Sequence, residues 1–421
     1  MLYTFYLILY TDFMLILAIE TSCDDTAVAL MKAEKGDFFV MDEYISSQFK
    51  VHSPFGGVVP NLAAREHLKN LPLLLKKIIA KNKIGPKNIG LIAVTQGPGL
   101  IPALLIGTNC AKALAYAWKK PLVGVNHVAG HIYANFISNQ GSTFYSRFDL
   151  SLGGSRRQFL KVKPFGNSSR SNLIKFPILA LVVSGGHTEL IFMKKHLSYK
   201  IIGQTLDDAA GEAFDKAAKI LELGYPGGPI VSTMADKFQK LFKVRPFPSP
   251  TIRREIPQGR TFRDSSKSNF SLPRPMINSS NFNFSFSGLK TAVLYTVRDH
   301  PQIPKNKKLT QEICAEFQQA VIDVLVQKTI GAAKKYQPKT ILLGGGVSAN
   351  KELRKQLKEK IRNSKFEIRN CGLAIPDTKY SLDNAAMIAA AGYFKFRSAK
   401  NKIIFYDNWK KMEADANLKL M

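Results

Sequence analysis

Three times in this chain a run of apolar residues stops at a cluster of small and polar residues, after which a helix or turn begins. Residues 15–19 run into 21–26, residues 178–183 into 184–188, and residues 340–343 into 344–350. Glycines in such loops let backbone N–H groups approach phosphate oxygens, and a following helix adds its positive N-terminal end. None of the three continues into the Gly-Lys-Ser/Thr of a Walker loop. Three together point toward nucleotide binding, whereas a single one reads as an ordinary strand-ending turn. Strand–helix alternation of this kind predicts an α/β fold with ligands at the carboxyl ends of strands.

The rest of the chain fits that alternation. Residues 15–19 and 27–31 read as a hairpin around 20–26, 61–80 as a helix, and 89–94 as a buried strand that breaks into a loop at 95–99. Pro102 opens a helix over 103–118, and a strand at 121–125 delivers His127. Further strands are expected at 178–183 and 340–343, with helices at 205–221, 309–336, 351–362 and 385–393. Residues 139–177 and 245–281, rich in Ser, Asn, Gly and Arg without a period, read as inserted surface loops. Arg253, Arg254, Arg260, Arg263 and Arg274 in the second are candidates for phosphate contact, or simply solubilising charge.

At 421 residues the chain exceeds one compact core, so two domains or a duplicated fold are expected. A net charge of +29 favours polyanionic partners, above all nucleic acid; solvated surface lysines are the plainer account. Cys23, Cys110, Cys314 and Cys371 form no CxxC, which argues against a disulfide framework or a four-thiolate zinc site and fits a reducing compartment. Residues 1–13 are apolar but lack a basic start and a small-residue cleavage site, and Thr4, Thr11 and Asp12 interrupt them. An over-extended start ahead of Met14 is the expectation, a membrane anchor the alternative.

Chemistry concentrates in Asn126-His127-Val128-Ala129-Gly130-His131. Two of the chain's seven histidines stand four apart, so at helical spacing both imidazoles share one face and can converge on one cation. Such a pair needs a third ligand, and two His with a carboxylate suit iron or zinc. Val128 stands where the Glu of a metallopeptidase HExxH motif would be. Asp24 and Asp25, on the first hairpin's tip, can hold a divalent cation near phosphates or bind a polar substrate, or simply be a solvated turn. Asp383, before the last small-residue helix, reads in isolation as its N-cap and otherwise as a carboxylate ligand.

Ten segments in order resemble the tRNA N6-adenosine threonylcarbamoyltransferase family over about residues 14–395. They are Ile19-Glu20-Thr21-Ser22-Cys23-Asp24-Asp25-Thr26, Gly56-Gly57-Val58-Val59-Pro60, Gly97-Pro98-Gly99-Leu100, the 126–131 histidine segment, and Val183-Ser184-Gly185-Gly186-His187-Thr188. The others are residues 207–216, residues 225–229, Phe284-Ser285-Phe286-Ser287-Gly288-Leu289-Lys290-Thr291, residues 344–350, and Asp383-Asn384-Ala385-Ala386-Met387. The resemblance implies a duplicated actin-like ATPase fold of the sugar-kinase and Hsp70-like kind (ASKHA), with two mixed-sheet subdomains and the site in the cleft between them. On that template one subdomain comprises residues 14–126 plus 377–421, the other 127–376.

The implied activity is transfer of the threonylcarbamoyl group from threonylcarbamoyl-AMP to N6 of the adenosine 3′ to the anticodon (position 37), in tRNAs reading codons that begin with adenine, with release of AMP. By the same resemblance His127, His131 and Asp383 hold one divalent metal, Fe2+ first and Zn2+ second. Val182, Val183, Ser184, Gly185, Gly186, Asp215, Gly228 and Asn350 contact the acyl-adenylate, while Asp24, Asp25 and His187 are the candidate proton acceptors. Expected partners are tRNA with a smaller TsaB-type paralogue and a TsaE-type P-loop ATPase, or a homodimer if the protein is organellar. Work in the cytoplasm or an organellar matrix, without stable membrane association, follows. Ala129, Asn283 and Ser381 depart from the family pattern without removing a proposed ligand, and the basic insertions and N-terminal extension lie outside it. The competing functions are an actin-like ATPase or small-molecule kinase, which has no need of the metal triad, and a metallopeptidase.

Overall fold

The computed structural model describes residues 13–34, 36–137, 143–149, 157–162, 173–242, 269–364, 368 and 371–420. The first sheet collects β1 (Phe13–Glu20), β2 (Asp25–Glu34), β3 (Asp37–Ser47), β4 (Leu91–Gly97) and β5 (Leu122–Asn126) in the order β3-β2-β1-β4-β5. β1, β2 and β3 are antiparallel neighbours, whereas β4 and β5 run parallel to β1. The second sheet holds β6 (Thr143–Asp149), β7 (Arg157–Val162), β8 (Ile178–Val183), β9 (Thr188–Met193), β10 (Tyr199–Gln204), β11 (Thr340–Gly344) and β12 (Gly372–Ile375). Its order is β10-β9-β8-β11-β12-β6-β7. The first five places repeat the first sheet, antiparallel on one side of β8 and parallel on the other. This is the duplicated, mixed-sheet actin-like arrangement.

Among the described residues the α-helices of seven residues or more are α1 (Pro60–Asn82), α2 (Ile101–Trp118), α3 (His127–Tyr133), α4 (Ala210–Ile220), α5 (Gly227–Phe242), α6 (Ser287–Asp299), α7 (Lys307–Tyr336), α8 (Lys351–Asn363) and α9 (Ala385–Ser398). Strand side chains alternate between faces, and both faces of β1 are covered, which is why it reads as one continuous apolar run. Leu15, Leu17 and Ile19 pack with Leu71, Leu75 and Ile78 of α1 and Ala111 of α2. Met14, Ile16 and Ala18 face a second cluster built on Met387, Ile388 and Ala391 of α9. That cluster also takes in Ile178, Ala180 and Val182 of β8, so α9 and α3 are packed between apolar faces of both sheets. The outer face of the second sheet buries Leu179, Leu181 and Val183 against Phe214 and Phe317.

Four expectations need correction. Residues 143–149 and 157–162, read as part of a surface loop, form a hairpin that extends the second sheet past β12. The helix expected over 205–221 begins only at Ala210. Its first residues are tied to Phe284 instead: Thr205 forms an isolated bridge with Phe284, and the Leu206 N–H donates to the Phe284 carbonyl at 2.9 Å. Arg274 is no free phosphate ligand, because it is half-buried and ion-paired with Glu316 and with Asp323 at 3.0 Å. The strand expected to break at Thr95 continues through Gly97. Residues 1–12 and Arg253, Arg254, Arg260 and Arg263 lie outside the described residues. No helix among the described residues is long and apolar enough to cross a membrane, and none of the four cysteines is in a disulfide.

Candidate metal centre

The carboxyl ends of parallel strands from both sheets meet at one place, as α/β architecture favours for ligands. β5 ends at Asn126, whose side chain caps the next helix by accepting from the Ala129 N–H at 3.2 Å. That cap starts α3 at His127 and puts His131 one turn further on, with the two rings 4.7 Å apart. Gly130 keeps α3 close to α9, since a Cβ there would come within 2.9 Å of Ile388.

Asp383 stands just before α9, but it is not the cap. Asn384 takes that role, accepting from the Met387 N–H at 2.8 Å. Asp383 is left free to turn its Oδ1 toward Nε2 of His127 at 3.5 Å and Nε2 of His131 at 3.3 Å. Ligand atoms of all three residues lie within 4.8 Å of one another. Nδ1 of His131, a fully buried residue, has no hydrogen-bond partner, and Nε2 meets the Asp383 carboxylate. An orphaned buried nitrogen is costly, and a cation bound by it removes part of that cost. Two imidazoles and one carboxylate are a suitable donor set for a divalent transition metal, and these residues fit one.

The electrostatics agree. Burial opposes ionisation of Asp383, yet the adjacent His127 and His131 hold its carboxyl well below the usual range. Burial works against protonating His127, but Asp383 and Glu20 raise it to about 9. Burial pushes His131 down, with His127 adding to the effect.

The other proposed residues fall into two groups, and only Asp24, Asp25 and His187 of the first interact with the triad. Asp24 and Asp25 follow β1; burial and then Asp383 push Asp24 up, and burial raises Asp25 to about 7. Oδ1 of Asp25 is buried and has no hydrogen-bond partner. His67 braces this loop from α1, with Nδ1 2.7 Å from Oγ1 of Thr26 and Nε2 3.0 Å from the Cys23 carbonyl. On the opposite side the turn between β8 and β9 brings the His187 ring to 6.3 Å from that of His127. Burial, reinforced by His127 and His131, pushes His187 down to about 4. Ser184 shapes the turn by donating its N–H to the His187 carbonyl at 2.8 Å and accepting the His187 N–H on Oγ at 3.1 Å. Val182 and Val183 are wholly buried in β8, while Gly185 and Gly186 are exposed with open space beside their Cα atoms.

The second group is held by side chains already engaged. Asp215 accepts the Gly227 N–H at 2.7 Å and so fixes the start of α5, where Gly228 faces open space. Asn350 caps α8 by accepting from the Leu353 N–H at 2.9 Å. Its Nδ2 donates to Gln318 at 2.7 Å and Ser232 at 3.0 Å, joining the loop after β11 to α5 and α7.

Sequence reasoning passed over Glu20, Ser22 and Thr95. Glu20 is fully buried at the end of β1, and its Oε2 lies 3.1 Å from Nδ1 of His127. Ser22 Oγ is 3.2 Å from the same nitrogen, and Thr95 donates to the same carboxylate oxygen. The available signal was a carboxylate directly abutting a wholly apolar strand.

A duplicated actin-like α/β fold with a His-His-Asp group that could hold a cation where its two sheets meet defines the class. The family model described as tRNA N6-adenosine threonylcarbamoyltransferase matches residues 39–163 and 164–390. A relative of that name from Thermosipho africanus is 41% identical over 409 residues, covering 97% of this chain and 100% of its own. Another of that name from Bacillus subtilis is 41% identical over 384 residues, covering 91% of each chain. The chain belongs to the tRNA N6-adenosine threonylcarbamoyltransferase family and is a transferase of the tRNA-modifying kind.

Proposed function

We propose that this protein moves the threonylcarbamoyl group of threonylcarbamoyl-AMP onto N6 of the adenosine just 3′ of the anticodon, in tRNAs that read codons beginning with adenine. The observation that carries this reading is the convergence of His127, His131 and Asp383 beside the open glycine turn at Gly185 and Gly186. The donor is a mixed anhydride and already activated, so no nucleophilic side chain is required. The N6 lone pair attacks the carbamoyl carbon, the bond from that carbon to the phosphate oxygen breaks, and AMP leaves with the electron pair. N6 gives up one proton, for which Asp24, Asp25 and His187 are the acceptors this reading offers.

His127, His131 and Asp383 would hold the cation, with iron the first choice and zinc the second, and it would supply Lewis acidity toward the carbonyl oxygen. The turn at 184–186, with Gly228 and Asn350, would cradle the adenylate, and Asp215 would keep the start of α5 in register. Because the aromatic amine is a poor nucleophile, holding it close to the carbonyl should supply much of the rate. The same reading takes a smaller TsaB-type paralogue and a TsaE-type P-loop ATPase as partners, or a second copy of this chain, and work in the cytoplasm or an organellar matrix. The test is turnover with threonylcarbamoyl-AMP against turnover with ATP and small acceptors: metal-dependent AMP release that requires tRNA supports it, and tRNA-independent ATP consumption contradicts it.

The net charge of +29 suits a tRNA substrate. Changing Arg253, Arg254, Arg260 and Arg263 together to Gln is expected to weaken tRNA binding. The slope of log affinity against log salt should become shallower by about 0.7–0.9 for each phosphate that the variant no longer neutralises. Filter binding at several salt concentrations checks this, and an unchanged affinity and slope would remove these arginines from the tRNA surface.

A further inference from the structure

We propose that Glu20 is a positioning residue that decides which nitrogen of His127 faces the cation. The inference rests on the reading of His127, His131 and Asp383 as a metal site, and goes beyond it by assigning a residue that contacts none of the reacting groups.

Glu20 is 0% exposed, and its ion-pair partner among the described residues is His127. A buried carboxylate is tolerated only when its oxygens are well supplied with donors. Oε1 of Glu20 accepts from the Ser22 backbone N–H. Oε2 accepts from the Thr95 hydroxyl and lies 3.1 Å from Nδ1 of His127. An ionised carboxylate can only accept, so Nδ1 of His127 carries the hydrogen. A cation that displaces the second proton then meets the lone pair on Nε2, the nitrogen 3.5 Å from Oδ1 of Asp383. A carboxylate behind a ligating imidazole fixes its tautomer and orientation and makes the other nitrogen a stronger donor. His131 has no such support, since its Nδ1 is buried without a partner. The two imidazoles are therefore unequal, and His127 is the oriented one.

Glu20→Gln discriminates this role from simple packing. The carboxamide has nearly the same shape, but one of its two ends must donate. With the NH2 toward Ser22, two N–H groups confront each other. With the NH2 toward His127, Nδ1 becomes an acceptor and the hydrogen moves to Nε2, where it blocks the cation.

The first readout is long-range 1H–15N NMR of imidazoles in the zinc-loaded wild-type protein, which needs no variant to fold. The expected pattern for His127 is a protonated Nδ1 and a zinc-bound Nε2; zinc on Nδ1 would overturn the assignment. The second is zinc affinity measured by competition with a chelator. Glu20→Gln should lose about 10–100-fold while still unfolding cooperatively. Unchanged affinity in Glu20→Gln, with affinity lost in His131→Ala, overturns the role of Glu20 alone. Affinity unaffected even by His131→Ala overturns the metal site itself, and the Glu20 assignment with it.

Discussion

Replacing His127 and His131 together by alanine is expected to reduce bound metal to background and to slow transfer by at least about 1,000-fold. That factor follows from the several kcal/mol a Lewis-acidic cation contributes to a developing oxyanion, at about 1.4 kcal/mol per tenfold in rate. Asp383 would remain as a lone carboxylate, and a single oxygen ligand does not hold a transition metal at this depth. Loss of the fold is not the expected cause of the defect. In the metal-free protein Nδ1 of His131 is buried without a hydrogen-bond partner, so removing that ring also removes a desolvation cost. Elemental analysis of the purified variant, paired with a single-turnover rate and a thermal unfolding curve, checks the expectation. Full metal occupancy in a cooperatively folded double variant would refute the ligand assignment.

Gly345→Ala is expected to destabilise the protein by about 2–5 kcal/mol, combining backbone strain with a steric clash. Gly345 has φ of 84° and ψ of 163°, a conformation essentially restricted to glycine. An added Cβ would fall 2.4 Å from the Val183 carbonyl oxygen and 2.6 Å from its carbon. Both atoms belong to the backbone at the end of β8, which cannot yield without moving the turn that carries Ser184 and His187. Next door, a Cβ on Gly344 would come within 2.7 Å of the His131 carbonyl. The glycine pair therefore lets β11 approach the turn after β8 and the helix that carries His127 and His131 at once. Denaturant unfolding of the variant gives the stability change, and a loss below about 0.5 kcal/mol would show that the loop has room to relax.

Much of this architecture was legible because its signals are local. Apolar runs ending in small residues marked β1, β8 and β11, and helical spacing put His127 and His131 on one face. The pairing of strands was not legible from the residues, because order and direction depend on partners far apart in the chain, as with Ile16 beside Leu91. Resemblance to a family supplied the duplicated topology. The hairpin at 143–149 and 157–162 escaped notice because its segments are short, mix aromatic with charged residues, and are set among loop-forming residues. Asp383 was visible as a capping residue or a ligand, and only the observed Asn384 cap separates the two. Arg274 looked free because its partners, Glu316 and Asp323, lie more than forty positions away. Glu20 was missed for a related reason. A carboxylate after a strand normally signals a solvated turn, and its burial against His127 is a tertiary fact.

The most direct test of the account is a single-turnover reaction with threonylcarbamoyl-AMP, tRNA and the metal-loaded protein, supplied with its partner subunits. The account predicts one AMP released per threonylcarbamoyl group found on N6 of the adenosine 3′ to the anticodon, with both products lost on chelation and restored by metal. AMP release without modified tRNA, or undiminished transfer by fully metal-stripped protein, would contradict it.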